Sequence, residues 1–283
     1  MLAPREAGSG LNAKVVAVVQ ARMGSTRLPG KVLRPIDGRP VLSWMIDRLR
    51  AAGELNELVV ATTYLPIDEP IRELCDQLGV ASVAGHPTDL LDRHLKVGRA
   101  RQADAIVKIP SDCPLIDPRV VDLVVGEFRR TYPEDAYVGN LHPATWPDGN
   151  DVEVIRLDAL EEAWCLATRT FQREHTTPFI WDQPERFRVR NVAWPSGRDL
   201  SATHRLTLDY EEDLALITQV FQALHKPGAP PFSVEEIVAL LDARPDLRAL
   251  NAAHHGSSWM SRHIDDLQTL RPVAPARAEA RQS

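Results

Sequence analysis

The sequence has few cysteines, and they are far apart. Its 283 residues include three, Cys75, Cys113 and Cys165, and no pair has the CxxC spacing. An odd number of scattered thiols indicates a reducing compartment. It excludes a disulfide framework and a cysteine-based zinc site.

Long apolar runs and an excess of basic residues are also missing. No apolar stretch approaches the roughly 20 residues that a membrane-spanning helix needs. Residues 1–13 lack the apolar core of a signal peptide. The formal net charge is −6, whereas nucleic-acid-binding proteins usually carry a basic face. We therefore expect a cytoplasmic protein with no membrane and no nucleic-acid partner. A local basic pocket for an anion is still compatible with this charge.

The composition is that of a globular protein. Hydrophobic residues make up 44% of the chain and charged residues 25%, which supplies ample material for a buried core. The length allows one large α/β domain or two small ones. We predict a disordered segment over residues 1–13, one domain over 14–249 and a flexible tail over 250–283.

Strand and helix patterns alternate through the first half of the chain. Apolar, β-branched runs predict strands at 14–20, 57–63, 80–85 and 103–110, and amphipathic stretches predict helices at 40–52, 67–79, 88–102 and from Pro118. Four such units predict a mostly parallel α/β sheet with helices on both faces. Ligands bind beyond the carboxyl ends of such strands. We therefore expect the loops 21–31, 62–66, 85–88 and 110–117 to form one site.

The pattern changes after about residue 132. Residues 135–200 contain short strand-like pieces, many Trp and Pro residues, and helical stretches near 157–168 and 173–182. We interpret this region as a small antiparallel extension that serves as a substrate-binding lid or a dimer contact. A last strand at 204–209 and helices at 210–224 and 233–243 complete the predicted domain.

A basic loop follows the first strand. The segment from Gln20 to Lys31 reads QARMGSTRLPGK and combines three cations, two hydroxyls and two glycines. Successive backbone N–H groups and basic side chains suit the binding of phosphate oxygens. The spacing excludes a P-loop, because five residues separate Gly24 from Gly30 and Val32 follows Lys31. The alternative is an exposed basic loop without a ligand.

Two aspartates stand where predicted strands end. Asp112 follows the strand at 103–110, and a carboxylate held there between prolines suits Mg²⁺. Asp117 precedes Pro118, so we expect it to cap the next helix. Asp209 ends the strand at 204–209. The residues alone leave its role open between a metal ligand and a helix cap completed by Glu212.

A fourth group of polar residues lies in the extension. In the segment WPDGNDVE (146–153), Asp151 and Glu153 share one face of a predicted strand. The triplet Arg173-Glu174-His175 opens a predicted helix and suits a carboxylate or phosphate on a substrate. For His175 alone, a structural role is the alternative.

These segments resemble, in order and spacing, the cytidylyltransferase family of the spore-coat polysaccharide type, a relative of the enzymes that make CMP-Kdo and CMP-sialic acid. The resemblance covers about residues 14–225. It rests on QARMGSTRLPGKVL, DLLDR (89–93), SDCPLIDP, WPDGNDVEV with REHTTPFI, and RLTLDYEEDL.

The resemblance implies a nucleotide-diphospho-sugar-transferase-like, Rossmann-like fold and a homodimer. It implies a Mg²⁺-dependent enzyme that transfers CMP from CTP to an acidic or phosphorylated sugar-like acceptor and releases pyrophosphate. The nucleotide-binding set would be Gln20, Ala21, Arg22, Gly24, Ser25, Arg27, Lys31, Asp92 and Arg93.

Other residues receive metal, catalytic and acceptor roles from the same resemblance. Asp112 and Asp209 would bind the metal and, with Arg22 and Lys31, form the catalytic set. Acceptor-binding residues would be Asn150, Asp151, Glu153, Arg173, Glu174 and His175. The chain departs from the family pattern at Pro110-Ser111, where relatives commonly have Gly, and at Leu208-Asp209-Tyr210, where Val-Asp-Thr is usual.

Two other functions are compatible with the same architecture. A glycosyltransferase that consumes a nucleotide sugar would rely on a DxD motif, but Cys113-Pro114 follows Asp112. A catalytically inactive binding subunit of a polysaccharide pathway is the second alternative. The presence of both aspartates and all three loop cations argues against it.

Overall fold

A mixed β-sheet runs through the centre of the molecule. The computed structural model describes residues 12–257, 260, 263, 265–267 and 269. Most of the segment 1–13 that we predicted to be disordered lies outside these residues. Among the described residues, seven strands form the sheet in the order β5-β4-β1-β6-β8-β7-β9, and β2 and β3 form a separate antiparallel pair. The strands are β1 Val15–Gln20, β2 Pro35–Ile36, β3 Arg39–Pro40, β4 Glu57–Thr63, β5 Ala81–Gly85, β6 Ala105–Pro110, β7 Tyr137–Gly139, β8 Glu153–Arg156 and β9 Val189–Asn191.

The strand directions confirm a mostly parallel sheet. β1 pairs in parallel with β4 and β6, and β4 pairs in parallel with β5. β8 is antiparallel to both β6 and β7, while β9 is parallel to β7. The predicted extension therefore continues the main sheet through one antiparallel strand.

Helices cover both faces of the sheet, as predicted. They are α1 Val41–Arg50, α2 Glu69–Leu78, α3 Leu90–Ala100, α4 Pro118–Thr131, α5 Leu157–Leu166, α6 Thr170–His175, α7 Pro178–Trp181, α8 Glu211–Leu224, α9 Val234–Ala243 and α10 Pro245–Arg248. Val15, Ala17 and Val19 pack with residues of α1 and α4, whereas Val16 and Val18 pack with residues of α3 and α5. The run is apolar without interruption because both of its faces are buried.

Two helices begin at aspartate caps, and the cap of α4 is the one expected from the sequence. The carboxylate of Asp89 accepts a hydrogen bond from the amide of Asp92 at the start of α3 (2.9 Å). Asp117 accepts one from the amide of Arg119 at the start of α4 (2.9 Å). Each cap satisfies an amide that the first turn of a helix leaves without a partner. Asp117 is thus a structural residue, as predicted.

Two predicted elements are wrong. Residues 204–209 form a single isolated bridge, between Arg205 and Asp148, and not a strand. This segment is extended, but successive amides bond to different loops, so no continuous ladder develops. The predicted helix 173–182 is split into α6 and α7, because Thr176 between them has a φ of +73° and Pro178 starts the second helix.

Packing continues past residue 249, where we placed the end of the domain. Asn251 is 1% exposed and Leu267 is fully buried in the core. The described part of the predicted tail therefore belongs to the folded molecule, and residues 270–283 lie outside the described residues. None of the helices described here is both long and apolar enough to cross a membrane.

Candidate active site

A cleft of about 560 Å³ opens at the carboxyl ends of β1 and β6. Two of the four expected loops, 21–31 and 110–117, contribute directly to its wall. The loop 85–88 contacts it through Arg22, whose Nη1 donates to the carbonyl of Pro87 (3.3 Å). Loop 62–66 does not line the cleft. Just beyond it, Asp68 accepts a hydrogen bond from the amide of Met23 (2.7 Å).

The basic loop is folded so that its last cation faces the cleft. The carbonyl of Met23 accepts hydrogen bonds from the amides of Ser25 (2.9 Å) and Gly30 (3.0 Å). Gly30 has a φ of +66°, in the left-handed region that favours glycine. This turn places Lys31 at the start of a short 3-10 helix, residues Lys31–Leu33.

Lys31 lies between the two predicted metal-binding aspartates. Its Nζ is 2.9 Å from Oδ2 of Asp112 and 2.9 Å from Oδ1 of Asp209, and it also donates to the carbonyl of Leu208 (2.9 Å). Burial lowers the pKa of Lys31, but the charges of the two carboxylates outweigh burial and raise it. Burial raises the pKa of Asp209, whereas Lys31 and Arg27 outweigh burial and lower it. Lys31 and Asp209 are therefore both charged at neutral pH.

A buried arginine that sequence reasoning missed holds Asp209 in place. The side chain of Arg205 is 2% exposed. Its Nη2 donates to Asp209 (3.0 Å), its Nε to Asp213 (3.0 Å) and its Nη1 to Asp148 (3.1 Å). One planar guanidinium thus fixes three carboxylates, which a lysine cannot do with the same geometry.

The structure excludes one of the two roles left open for Asp209, that of a helix cap completed by Glu212. The N-cap residue of α8 is Tyr210, and the box is completed by Asp213, not by Glu212. The carboxylate of Asp213 accepts hydrogen bonds from the amides of Asp209 (2.8 Å) and Tyr210 (3.0 Å). The carboxylate of Asp209 is consequently not used as a cap and faces the cleft, where Arg27 forms an ion pair with it (2.7 Å).

Asp148, Asp151 and Glu153 supply further carboxyl groups to the lining. The oxygen Oδ1 of Asp148 accepts a hydrogen bond from Thr207 (2.8 Å), and burial raises the pKa of Asp148 to about 6. Burial and the charge of Asp148 raise the pKa of Asp151 well above its ordinary value. Glu153 forms an ion pair with Lys108 and accepts a hydrogen bond from Tyr137 (3.0 Å).

Gly149 is required for this arrangement. It has a φ of +102°, and a Cβ added to it would lie 2.6 Å from the carbonyl carbon of Leu206. The missing side chain lets the loop approach the neighbouring segment closely enough for the amide of Leu206 to donate to the carbonyl of Asp148 (2.7 Å).

Most predicted site residues line the cleft, and three do not. Those on its wall are Gln20, Ala21, Arg22, Gly24, Ser25, Arg27, Lys31, Arg93, Asp112, Asp151, Glu153, Glu174, His175 and Asp209. Asp92, Asn150 and Arg173 are absent from it. Lining residues that we did not predict include Lys108, Asn140, Asp148, Ser201, Arg205, Thr207, Ser257 and Met260.

The three absent residues have hydrogen-bond or ion-pair partners outside the cleft lining, and their roles in ligand binding stay predictions. Asp92 accepts a hydrogen bond from Trp164 (3.1 Å). The side-chain oxygen of Asn150 accepts one from the amide of Asp117 (2.9 Å). Arg173 forms an ion pair with Asp89 (2.7 Å).

The family model described as cytidylyltransferase matches residues 16–237. The chain belongs to the cytidylyltransferase family. It is therefore a nucleotidyltransferase that uses CTP, and the resemblance found in the sequence is confirmed.

Three relatives show how far the similarity of this cytidylyltransferase extends. The spore coat polysaccharide biosynthesis protein SpsF of Bacillus subtilis is 30% identical over 241 residues, which is 82% of this chain and 95% of that protein. A solved structure of a cytidylyltransferase from Leptospira borgpetersenii is 30% identical with a TM-score of 0.78, covering 83% of this chain and 97% of that one. The 3-deoxy-manno-octulosonate cytidylyltransferase of Acidobacterium capsulatum is 35% identical over 121 residues, 42% of this chain and 47% of that protein.

The donor set of the cytidylyltransferase fits a magnesium ion that a substrate completes. Within the described ranges, no group of three or more His, Cys, Asp or Glu side chains converges as a metal site. Asp112 and Asp209 both contact the same ammonium nitrogen, so they lie close enough to share one cation. Mg²⁺ is usually held by one or two carboxylates together with substrate phosphates.

Besides Lys31, Arg93 is a cation whose surroundings indicate an anionic ligand. It is 2% exposed and borders the cleft. Its Nε and Nη1 have no hydrogen-bond partner in the part of the chain that the structure describes. Burial, with a smaller contribution from Arg22, lowers the pKa of Arg93 to about 10, so the guanidinium keeps its charge at neutral pH. A buried cation in this state gains stability when an anion binds.

Proposed function

We propose that this cytidylyltransferase transfers CMP from CTP to an acidic or phosphorylated sugar-like acceptor and releases pyrophosphate, with Mg²⁺ held by Asp112 and Asp209. One observation carries the proposal: the ammonium of Lys31 lies 2.9 Å from both carboxylates, at the carboxyl ends of two central parallel strands. A cation-binding carboxylate pair beside a basic loop is what a nucleoside triphosphate and its metal require.

The basic side of the cleft is assigned to the nucleotide. Arg22, Arg27, Lys31 and Arg93 line it together with Ser25. We propose that these side chains neutralise the triphosphate and stabilise the pyrophosphate that leaves. Catalysis of phosphoryl transfer is mostly positioning and charge stabilisation, so no covalent intermediate with the protein is needed.

The carboxyl-rich side is assigned to the acceptor. An acceptor oxygen attacks the α-phosphorus of CTP, a new P–O bond forms, and the bond to pyrophosphate breaks. When bound at the two aspartates, Mg²⁺ would neutralise phosphate charge and lower the pKa of an attacking hydroxyl. Asp151, Glu153, Glu174 and His175 line the cleft. Their carboxyl groups would hydrogen-bond to acceptor hydroxyls, and His175 would donate to the acidic group of the acceptor. The name of the Acidobacterium relative, which acts on an acidic sugar, supports this acceptor class.

A pyrophosphate-release screen tests the proposal. Four NTPs are offered with Mg²⁺ against a panel of acidic sugars, sugar phosphates and phosphonates. We expect release with CTP and at least one acidic acceptor, and loss of release after chelation of the metal. The matched pair of variants is Asp112→Asn, which should be inactive, and Arg34→Ala, which removes an exposed cation paired with Glu211 and should be active. Consumption of a nucleotide sugar without pyrophosphate release would instead identify a glycosyltransferase. Tight binding of CTP without turnover on any acceptor would identify an inactive binding subunit.

We also propose that the protein works as a cytoplasmic homodimer. β9 forms one end of the seven-stranded sheet of the described residues, and such an edge offers backbone groups for pairing with a second chain. Sedimentation analysis should give the mass of two chains at micromolar concentration. A single-chain mass over the working concentration range would contradict this part of the proposal.

A further inference from the structure

The chain returns to the cleft after the end of the family match. The match stops at residue 237, but residues 251–257 and Met260 contact the loop that carries Asp209 or line the cleft beside it. We call these described residues, 251–257 with Met260, the C-terminal segment. The proposed reaction assigns no role to this segment.

The segment is first anchored by a buried asparagine. The Nδ2 of Asn251 donates to Oδ1 of Asp213 (2.8 Å) and to the carbonyl of Arg205 (3.0 Å). Asp213 in turn accepts a hydrogen bond from the amide of Asp209 (2.8 Å), and Arg205 binds the carboxylate of Asp209 (3.0 Å). Asn251 therefore contacts two of the residues that bind Asp209, the carboxylate of Asp213 and the main chain of Arg205.

The segment then makes two contacts closer to the cleft. The ring of His254 stacks on the ring of Tyr210 with centroids 3.7 Å apart and planes 7° from parallel. The guanidinium of Arg27 lies over the same tyrosine, 5.5 Å from its centroid. The carbonyl of Ser257 accepts a hydrogen bond from Nη1 of Arg205 (3.0 Å). The stack restrains Tyr210, which follows Asp209 in the chain, and the carbonyl of Ser257 restrains the guanidinium that binds Asp209.

The end of the segment forms part of the cleft wall. Ser257 and Met260 line the cleft that also contains the predicted acceptor residue His175. Further along, the ring of His263 stacks on Phe171 with centroids 5.4 Å apart, and Leu267 is fully buried in the core. The hydrogen bonds of Asn251 thus anchor the chain before the lining residues Ser257 and Met260, and the burial of Leu267 anchors it after them.

We propose that the C-terminal segment is a working part of the active site, with two tasks. Its residues Asn251 and His254 are positioning residues for Asp209, and Met260 is a specificity residue that shapes the acceptor side of the cleft. The inference rests on the proposed transfer reaction. Positioning matters because a misplacement of about 1 Å in an active site costs on the order of 10²-fold in rate.

Point variants of the full-length protein test the two tasks separately. His254→Ala removes the stack, so we expect kcat to fall by about 10- to 100-fold and the Mg²⁺ concentration for half-maximal rate to rise. His254→Phe keeps a flat ring and should restore most of the loss. Met260→Ala should raise KM for the acceptor by about tenfold while the Kd for CTP is unchanged. The control is Leu250→Ala, because Leu250 is 41% exposed and does not line the cleft.

The readouts separate failure of this inference from failure of the proposed function. Wild-type kcat, KM and Mg²⁺ response in both His254→Ala and Met260→Ala would overturn the inference. A loss in His254→Ala that His254→Phe does not restore, with a lowered melting temperature, would show a merely structural role and would also overturn it. If the wild type releases no pyrophosphate, the proposed function fails. In that case, calorimetry of Mg²⁺ binding in the presence of CTP shows by itself whether His254→Ala weakens the metal site.

Discussion

Replacement of Lys31 by methionine should have opposite effects on metal binding and on turnover. In the structure the Lys31 ammonium occupies the space between Asp112 and Asp209, at 2.9 Å from each. A divalent cation that uses the same carboxylates must displace it. With CTP bound, by contrast, the ammonium is needed to neutralise phosphate charge. Methionine is also unbranched, but it is one atom shorter and removes the ammonium with its charge and its hydrogen bonds.

The size of the first effect follows from the two contacts. A hydrogen bond to a charged group contributes about 1.5–3 kcal/mol, so two of them oppose the metal by about 3 kcal/mol at the lower end. At about 1.4 kcal/mol per tenfold change, Lys31→Met should tighten Mg²⁺ binding without CTP by about 10²-fold. Turnover should fall by on the order of 10²–10³-fold, as when a preorganised charge donor is removed.

Calorimetric titration with Mg²⁺ in the absence of nucleotide measures the first effect, and pyrophosphate release measures the second. Arg34→Ala is the matched control, since it removes a cation from the same stretch of chain without changing the cleft. An unchanged or weaker Mg²⁺ affinity in Lys31→Met would refute the reasoning. So would turnover above about a tenth of the wild-type rate.

Three further predictions concern single residues. Gly149→Ala should lower the free energy of unfolding by about 1–3 kcal/mol, because a strained φ and a backbone clash cost that much. The control is Gly126→Ala in α4, where an added Cβ meets nothing within 4 Å. It should raise the free energy of unfolding by about 0.5–1 kcal/mol. Burial raises the pKa of Asp148 to about 6, from about 3.9 in an unfolded chain. The contribution of Asp148 to the free energy of unfolding should therefore decrease as the pH rises from about 4 to about 6. The native state there holds a proton that the unfolded state has lost. Asp112→Asn should abolish turnover with little loss of stability, whereas Asp117→Ala should lower stability by about 1–2 kcal/mol through loss of a helix cap with kcat retained.

Urea unfolding and steady-state kinetics check all three. Equal effects of the two glycine substitutions would contradict the role given to the Gly149 turn. The difference in unfolding free energy between Asp148→Asn and the wild type should be more favourable to the variant at pH 7 than at pH 4.5, and the opposite order would contradict the sign of the shift. An active Asp112→Asn protein would remove the metal assignment.

The parallel half of the fold could be predicted because each of its elements carries its own signal. Val15–Val19 are apolar without interruption since both faces of β1 are buried, and Asp89 and Asp117 mark helix starts with side chains that cap them. The loops 21–31 and 110–117 could then be expected to meet, because parallel strands present their carboxyl ends at one edge. Lys31 and Asp112, which are 81 residues apart, could be assigned to one site on that basis.

The second half could not be predicted as well, because its contacts are set by distant partners. Arg205 is an isolated arginine in the sequence, and its role depends on Asp148, 57 residues earlier. The direction in which a helical side chain points was the second property that could not be predicted. Asp92 and Arg93 are neighbours on α3, but adjacent helical side chains point about 100° apart, so only Arg93 borders the cleft. The family resemblance named both residues and could not tell them apart.

In the segment between Arg205 and Asp209, the main-chain hydrogen bonds must stay constant, whereas the side chains are free to vary. The amide of Leu206 bonds to the carbonyl of Asp148, and the amide of Leu208 bonds to the carbonyl of Asp112, each at 2.7 Å. Main-chain bonds of this kind do not depend on which side chain is attached. Mutation can therefore exchange side chains that line the cleft while the spacing of Asp112 and Asp209, the two aspartates proposed to bind the metal, is inherited unchanged.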